Sequence, residues 1–320
     1  MPDEQRPVIS AVIVSYNTRD MTLRCLTALN AELGGMAAEV FVVDNGSTDG
    51  SAEATREAFP AVSVIDLGRN AGFGAANNVA FARATGEYAL LLNSDAFVRP
   101  GAITALVAAA GYDQRLAVIG PRLLNGDGSL QPSCYKFPSP WRALCENTLL
   151  TAAFPNHPLL GDFRTWPHNQ PREVGFVIGA CMLVRRSAIE EVGGFDEGFF
   201  LYAEEADWCR RFWKAGWRVL FTPAAEVVHL GGGSGKEQPA KVFCEFHRAQ
   251  ERFQRKHYGL IGLAFFRLTM VAGACLRIAL FGIGAVLGRS GRDRSLRQVS
   301  RWLRILKWTV GFRGPGLAAY

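Results

Sequence analysis

Residues 88–92, Tyr-Ala-Leu-Leu-Leu, form an apolar run without alternation. A strand with one solvated face alternates. A run apolar at every position suits a strand buried on both faces, as in a parallel sheet covered by helices. The run stops abruptly at Asn93-Ser94-Asp95. Ligands of open α/β sheets sit beyond the carboxyl ends of the strands. An acid delivered there is a hard oxygen ligand for a divalent cation that also holds phosphate oxygens. Asn, Ser and Asp are also ordinary turn formers, so this stretch alone leaves a turn and a site both open.

The surrounding chain repeats the theme. Residues 8–14 read as a strand, followed by the polar loop Ser15-Tyr16-Asn17 and a helix over 21–33 with Leu23, Leu26 and Leu29 near helical spacing. Residues 39–43 are a second strand ending at Asp44-Asn45-Gly46, then come a helix over 51–59 and a third strand over 62–67. Strands alternating with helices predict a parallel sheet with helices on both faces. Asp44, at a strand end like Asp95, can accept from a nucleobase N–H or a ribose hydroxyl, or serve as a helix cap or Asx-turn. The loop Gly68 to Asn78 offers Arg69, Asn70, Asn77 and backbone N–H groups to a nucleotide. As a dinucleotide fingerprint it fails: the third Gly is missing and the loop follows the third strand, which argues against a redox Rossmann enzyme.

A helix over 102–109 and a strand over 116–119 follow. Residues 121–171 are irregular and carry Trp141, His157, Trp166 and His168. Long irregular insertions are often functional, so this one is assigned to acceptor binding or a lid, with its histidines as surface residues. In the strand region 174–185, Gly179-Ala180 would let a substrate approach the backbone. A helix over 186–192 leads to Glu204-Glu205-Ala206-Asp207 behind an aromatic run. Three acids in four residues suit a helix N-terminus, either as a solvated start or as a site. A strand within 219–228 ends at His229 and the glycines of 231–233, a segment suited to a loop that closes over a ligand.

Four ordered motifs now carry a resemblance: Val-Ser-Tyr-Asn (14–17), Val-Val-Asp-Asn-Gly-Ser-Thr-Asp-Gly-Ser (42–51), Gly-Arg-Asn-Ala-Gly-Phe-Gly-Ala-Ala-Asn-Asn (68–78) and Leu-Leu-Asn-Ser-Asp (91–95). Together they resemble the family 2 glycosyltransferases over about residues 8–234, in their rhamnosyltransferase-like branch. The resemblance implies a Rossmann-like α/β fold of the A type (GT-A), binding nucleotide sugars on a mainly parallel central sheet. It implies donor contacts from Ser15, Tyr16, Asn17, Asp44, Arg69, Asn70, Asn77, Asn93 and Ser94. Asn93-Ser94-Asp95 would replace the family's Asp-x-Asp metal motif, leaving Asp95, with His229, to hold Mg²⁺ or Mn²⁺. Glu205 stands where the family's catalytic base is usually Asp. Glu can perform the same proton transfer with longer reach. Glu204 and Asp207 are secondary acids, and Gly179 and Ala180 lie on the acceptor side. The implied reaction is inverting transfer of a sugar, rhamnose from dTDP-rhamnose on the branch resemblance or otherwise a UDP- or GDP-hexose. The acceptor would be a lipid-linked or saccharide hydroxyl in cell-wall, O-antigen or exopolysaccharide assembly.

Charge divides the chain. Residues 248–320 hold 14 Lys+Arg against 2 acids, whereas the whole chain is only +6. A basic, apolar tail on an acidic body points to an anionic membrane surface and away from nucleic acid. The tail sets domain limits of 1–240 for the catalytic part and 241–320 for membrane-associating helices. Arg267 and Arg277 disfavour a simple span of 259–288 and favour an in-plane or shallow hairpin arrangement. Leu296, Val299, Leu303, Leu306 and Val310, flanked by arginines with Trp302 and Trp308 as anchors, read as an interfacial amphipathic helix; packing on the catalytic domain or a homodimer contact is the alternative. No apolar leader opens the chain, and the seven cysteines lack Cys-x-x-Cys pairs. Both fit reduced thiols in a cytoplasmic protein at the inner membrane face. A non-catalytic membrane scaffold would keep the tail and need none of the acids.

Overall fold

The computed structural model describes residues 8–161, 166–231, 239–287 and 291–311. The chain divides into two units, Met1–Phe137 with Pro167–Glu237, and Pro138–Trp166 with Gln238–Tyr320. The elements run β1 (Ile9–Ser15), α1 (Arg19–Leu33), β2 (Ala38–Asp44), α2 (Ser51–Ala58), β3 (Ser63–Asp66), α3 (Phe73–Phe81), β4 (Tyr88–Asn93), β5 (Ala96–Val98), α4 (Ala102–Gly111), β6 (Leu116–Leu124), β7 (Leu130–Gln131) and β8 (Cys134–Tyr135). The insertion carries α5 (Pro140–Asn147) and α6 (Leu150–Ala153). Then come β9 (Arg172–Glu173), β10 (Phe176–Val177), β11 (Cys181–Arg185), α7 (Arg186–Val192), α8 (Glu204–Lys214), β12 (Arg218–His229), α9 (Pro239–Val286) and α10 (Arg292–Thr309).

In the first unit the sheet order is β3-β2-β1-β4-β11-β6-β12-β5. β3, β2, β1 and β4 are mutually parallel, as are β6 and β12. β11 runs antiparallel between β4 and β6, so the sheet is mixed, mostly parallel. The non-alternating runs are explained by burial on both faces. On β1, Ile9, Ala11 and Ile13 enter one core cluster while Val12 enters the other. Leu90, Leu91 and Leu92 of β4 are buried. The short β5 hides in the run after Asp95, where sequence periodicity cannot show it. β6 extends past the expected 119 to Leu124 by pairing with β12 and β7.

His168 corrects its expected surface position. It is fully buried, with Nε2 3.5 Å from Cys134 Sγ and its ring edge-on to Phe221. Five of the seven free cysteines are buried, but Cys275 is exposed. Burial pushes the Cys181 thiol up to about 12.

The second unit is helical and discontinuous. The sequence boundary at 240 kept 138–166 with the catalytic part; the structure groups it with the carboxy-terminal helices. The Asn147 amide donates to Thr269 Oγ1 at 3.3 Å, and a Cβ on Gly273 would lie 2.7 Å from Asn147 Cβ, so only glycine admits α5 this closely. α9 breaks at Gly259, whose φ of 68° and ψ of −166° suit glycine alone. Arg267 Nε and Nη2 reach the two Glu251 carboxylate oxygens at 3.0 and 2.8 Å. In a continuous helix, 16 residues would separate them by about 24 Å. The arms of α9 therefore fold back on each other. Arg277 donates from Nη1 and Nη2 to the carbonyls of Asn147 and Glu146, both at 2.7 Å, closing the end of α5.

α10 modifies its expected stripe. Leu296, Leu303 and Val310 are exposed, but Trp308 is buried against Phe243 and His247, and Trp302 lies under the Arg277 guanidinium. Trp308 is thus a packing group rather than an outward anchor, because a large ring fills space wherever helices meet.

Candidate active site

Parallel register brings three strand ends together. Ser15 pairs with Asp44, and Val14 with Asn93. Because β11 runs the opposite way, its first residue, Cys181, pairs with Leu92, and the Ala180 carbonyl accepts from Asn93 N at 3.0 Å. β12 ends with His229 opposite Ala96. One edge of the sheet thus collects Ser15, Asp44, Asn93 to Asp95, Gly179 to Ala180 and His229.

Asp44 is buried and does two things. Its Oδ1 accepts from the backbone N–H of Gly46 at 3.1 Å and of Ser47 at 2.7 Å, which is the expected turn. Its Oδ2 is buried with no protein partner among the described residues. A buried oxygen left without a donor is costly, and a ligand N–H or O–H would satisfy it. Asn17, at φ 51°, ties its loop to this turn: its N–H donates to Ser47 Oγ at 2.9 Å and its Oδ1 accepts from Thr48 N at 2.8 Å. Tyr16 beside it is partly exposed and Arg69 is exposed, so both side chains are accessible. Asn70 Oδ1 accepts from Gly72 N at 3.0 Å and shapes its own loop. Asn77 turns inward, its Nδ2 donating to Phe73 O at 2.9 Å.

The turn after β4 is held from below. Thr18 Oγ1 donates to Ser94 Oγ at 2.9 Å, and Ser15, Thr18 and Thr22 share a buried hydroxyl cluster. Ser94 is therefore a structural post, and Asp95 above it is buried. His229 Nε2 lies 3.3 Å from Asp95 Oδ1. Imidazole nitrogen and carboxylate oxygen are donors that a divalent cation accepts. Among the described residues no group of three His, Cys, Asp or Glu gathers, so these two would leave remaining positions to phosphate and water. Gly232, Gly233 and Ser234 lie outside the described residues.

Helix α8 presents the acids. Tyr202 and Ala203, ahead of it, both have positive φ, 70° and 61°. Such backbone is costly without glycine and persists where the surroundings enforce it. Glu204 is buried; desolvation first, and the Glu205 charge second, push its carboxyl well above the ordinary range. Burial pushes Glu205 up to about 7, while the backbone N–H groups of Glu205, Ala206 and Gly179 pull the other way. Oε2 of each carboxyl has no protein partner among the described residues. Gly179 joins Glu205 to the sheet edge through its N–H. Its alpha carbon also faces the Phe73 ring, 3.2 Å from where a Cβ would sit. Asp207 is fully buried and bound to Arg211 at 3.0 Å, and Arg211 also holds the Val192 and Gly194 carbonyls. Its carboxylate is thus taken by structure rather than offered to a ligand.

A sequence model of glycosyl transferase family 2 matches residues 10–193, more than half of the chain. The chain belongs to glycosyl transferase family 2. A second model, glycosyl transferase family group 2, matches residues 163–313. The N-acetylglucosaminyl-diphospho-decaprenol L-rhamnosyltransferase of Mycobacterium tuberculosis is 32% identical over 316 residues, covering 91% of this chain and 98% of that one. Rhamnosyltransferase WbbL of Escherichia coli is 32% identical over 98 residues, 31% of this chain and 37% of that one. The mannosyltransferase PcManGT from Pyrobaculum calidifontis, solved in complex with GDP-Man and Mn²⁺, shares the fold with a TM-score of 0.58 and 18% identity, over 97% of this chain and 89% of that chain.

In this family 2 glycosyltransferase the GT-A fold depends on residues the sequence reading passed over. Asn45 is buried; its Oδ1 accepts from Ala71 N at 2.8 Å and its Nδ2 donates to Asn70 Oδ1 at 3.1 Å, locking the loops after β2 and β3 together. Asn78 holds the 195–197 loop through both Phe195 backbone groups and Glu197. The Phe195 ring lies tilted, 4.2 Å from Trp208, which also stacks on Phe81 of α3 and donates its indole N–H to Gly193 O at 2.8 Å, so α3 and α8 share one aromatic support. Position within the quoted motifs was the only signal for Asn45 and Asn78. Gln131, beside His229, gave none.

Proposed function

We propose that this glycosyltransferase transfers a sugar, with inversion, from a nucleoside-diphosphate donor to a hydroxyl of a lipid-linked acceptor. Glu205 carries this reading: an ionisable carboxyl with a raised pKa, tied by the Gly179 amide to the strand end that bears Asp95. A base that ionises near neutral pH suits deprotonation of an acceptor hydroxyl. That hydroxyl attacks the anomeric carbon opposite the leaving diphosphate, so a single displacement inverts the centre.

The free Oδ2 of Asp44, with the loop of Arg69 and Asn70, accepts the nucleoside part. Asp95 and His229 would hold Mg²⁺ or Mn²⁺, and their facing donors fit such an ion. When bound, the ion would neutralise charge on the diphosphate leaving group. The rhamnosyltransferase names of the bacterial relatives support a rhamnose donor and a decaprenyl-type lipid acceptor.

Membrane attachment rests on the second arm of α9. Ile261, Phe265, Leu268, Leu276, Leu280, Ile283 and Leu287 are exposed and recur at helical spacing. Within Val242–Val286, which breaks at Gly259, an 18-residue window is apolar enough for a membrane by composition. Because Arg267 and Arg277 are engaged by Glu251 and α5, this outer stripe carries no charge. The arm lies against an anionic cytoplasmic leaflet, near the lipid-linked acceptor.

The test is transfer from a panel of dTDP-, UDP- and GDP-sugars to a prenyl-diphosphate glycan, with and without Mn²⁺, in wild type, Asp95→Ala and Glu205→Gln. Transfer with anomeric inversion, lost in both folded variants, is the expected result. Undiminished transfer by Glu205→Gln would remove its role as base.

A further inference from the structure

We infer that Gln131 is a positioning residue that fixes His229 as the Nδ1–H tautomer, so that Nε2 turns a bare lone pair toward Asp95. Two backbone carbonyls anchor the deduction, because a carbonyl oxygen only accepts. Asn125 Nδ2 faces Leu130 O at 3.4 Å and Ser129 Oγ at 2.9 Å, which leaves Asn125 Oδ1 as an acceptor. Gln131 Nε2 donates to that Oδ1 at 2.9 Å and to His229 O at 3.2 Å. The amide cannot be reversed without setting its oxygen against both acceptors. Gln131 Oε1 therefore faces His229 Nδ1, 2.7 Å away, and the proton of that contact belongs to the imidazole.

The consequence appears on the other side of the ring. In the neutral ring, His229 Nε2 and Asp95 Oδ1, 3.3 Å apart, then face each other lone pair to lone pair. That arrangement needs a positive charge between them, and a metal-binding histidine normally donates its other N–H to such a partner. The hairpin between β6 and β7 thus acts on a site to which it contributes no ligand. This inference rests on the metal reading above.

Metal-free protein with ¹⁵N-labelled histidine, observed at pH 8, tests it. The His229 signal is identified among the five histidines by its loss in His229→Gln. Wild type is expected to show a protonated Nδ1 and an unprotonated Nε2. Gln131→Leu is expected to spread His229 over both tautomers and to weaken binding of Mn²⁺ alone about 10- to 100-fold, read by electron paramagnetic resonance. Gln131→Glu, which keeps an acceptor for Nδ1–H, is expected to retain the wild-type tautomer. An Nε2–H ring in wild type overturns the inference without any variant, as does an unchanged tautomer in folded Gln131→Leu. Mn²⁺ affinity unaffected by both His229→Gln and Asp95→Ala overturns instead the metal reading on which the inference rests.

Discussion

The two units solve opposite problems with the same kinds of residue. In the first, carboxylates are buried at a sheet edge, and three keep an oxygen without a protein partner among the described residues: Asp44, Glu204 and Glu205. In the second, the acid and the arginines of the α9 arms are engaged with one another or with backbone. Glu251 pairs with Arg267, and Arg277 closes the end of α5, while leucine, isoleucine and phenylalanine face outward. Unsatisfied buried oxygens are costly in isolation, and exposed apolar stripes are costly in water. Each unit thus keeps one feature whose cost a different companion would remove: a polar ligand for the first, a lipid surface for the second.

The largest effect should come from attacking the first feature at its reactive point. Glu205→Gln is expected to lower kcat about 10²–10⁴-fold, with donor binding retained, in steady-state transfer assays. A fall in donor affinity without a fall in kcat would make Glu205 a binding group and erase the contrast with Asp44. The outward stripe of the second unit is tested by Leu268→Asp with Leu276→Asp. Each forfeits about 1.5–3 kcal/mol of apolar burial, so co-flotation with anionic vesicles should fall about 100-fold or more while transfer to a soluble acceptor persists. Equal flotation would mean that this face meets something other than lipid.

Next is the interior of the second unit. Arg277→Met removes two charge-assisted bonds to carbonyls and should cost that unit about 2 kcal/mol in denaturant unfolding. The smallest effect separates the two buried glutamates. Glu205 must be ionised to act, so kcat/KM should rise with pH through about 7. Stability runs the other way. A carboxyl whose pKa is raised in the fold binds its proton more tightly there, so the stabilisation is complete below the ordinary carboxylate range and is lost as pH approaches 7. Burial and the Glu205 charge push the Glu204 carboxyl up as well. With Glu205 as the base, Glu204→Gln is expected to keep activity within a few-fold. Loss of turnover in that variant would transfer the base role to Glu204.

What could be read in the chain was what is local. The buried-both-faces pattern of residues 88–92 announced β4, and the succession of strands and helices announced the sheet and its helical layers. Strand-terminal acids marked Asp44 and Asp95 because the carboxyl edge of such a sheet is where ligands lie. The acidic start of α8 was visible too, but not its internal division. Composition leaves Glu204, Glu205 and Asp207 equivalent; the family resemblance favoured Glu205, and the structure adds the partner of each. Arg211 takes Asp207, whereas the Gly179 amide reaches Glu205.

The rest was decided by contacts between distant residues. Gln131 meets His229 across 98 positions, and Arg277 meets Asn147 across 130, with no periodicity linking them. The two arginines of α9 argued in sequence against a simple apolar span. The break at Gly259 and the fold-back of its arms turn them toward Glu251 and α5, leaving the outward stripe uncharged. The sequence alone determined which segments bury apolar faces and which residue types end the strands, because both depend on neighbours within a few positions. The tertiary structure alone decided which carboxylates stay free and which are held, because a side chain's remaining hydrogen-bonding capacity depends on partners that only folding brings within reach.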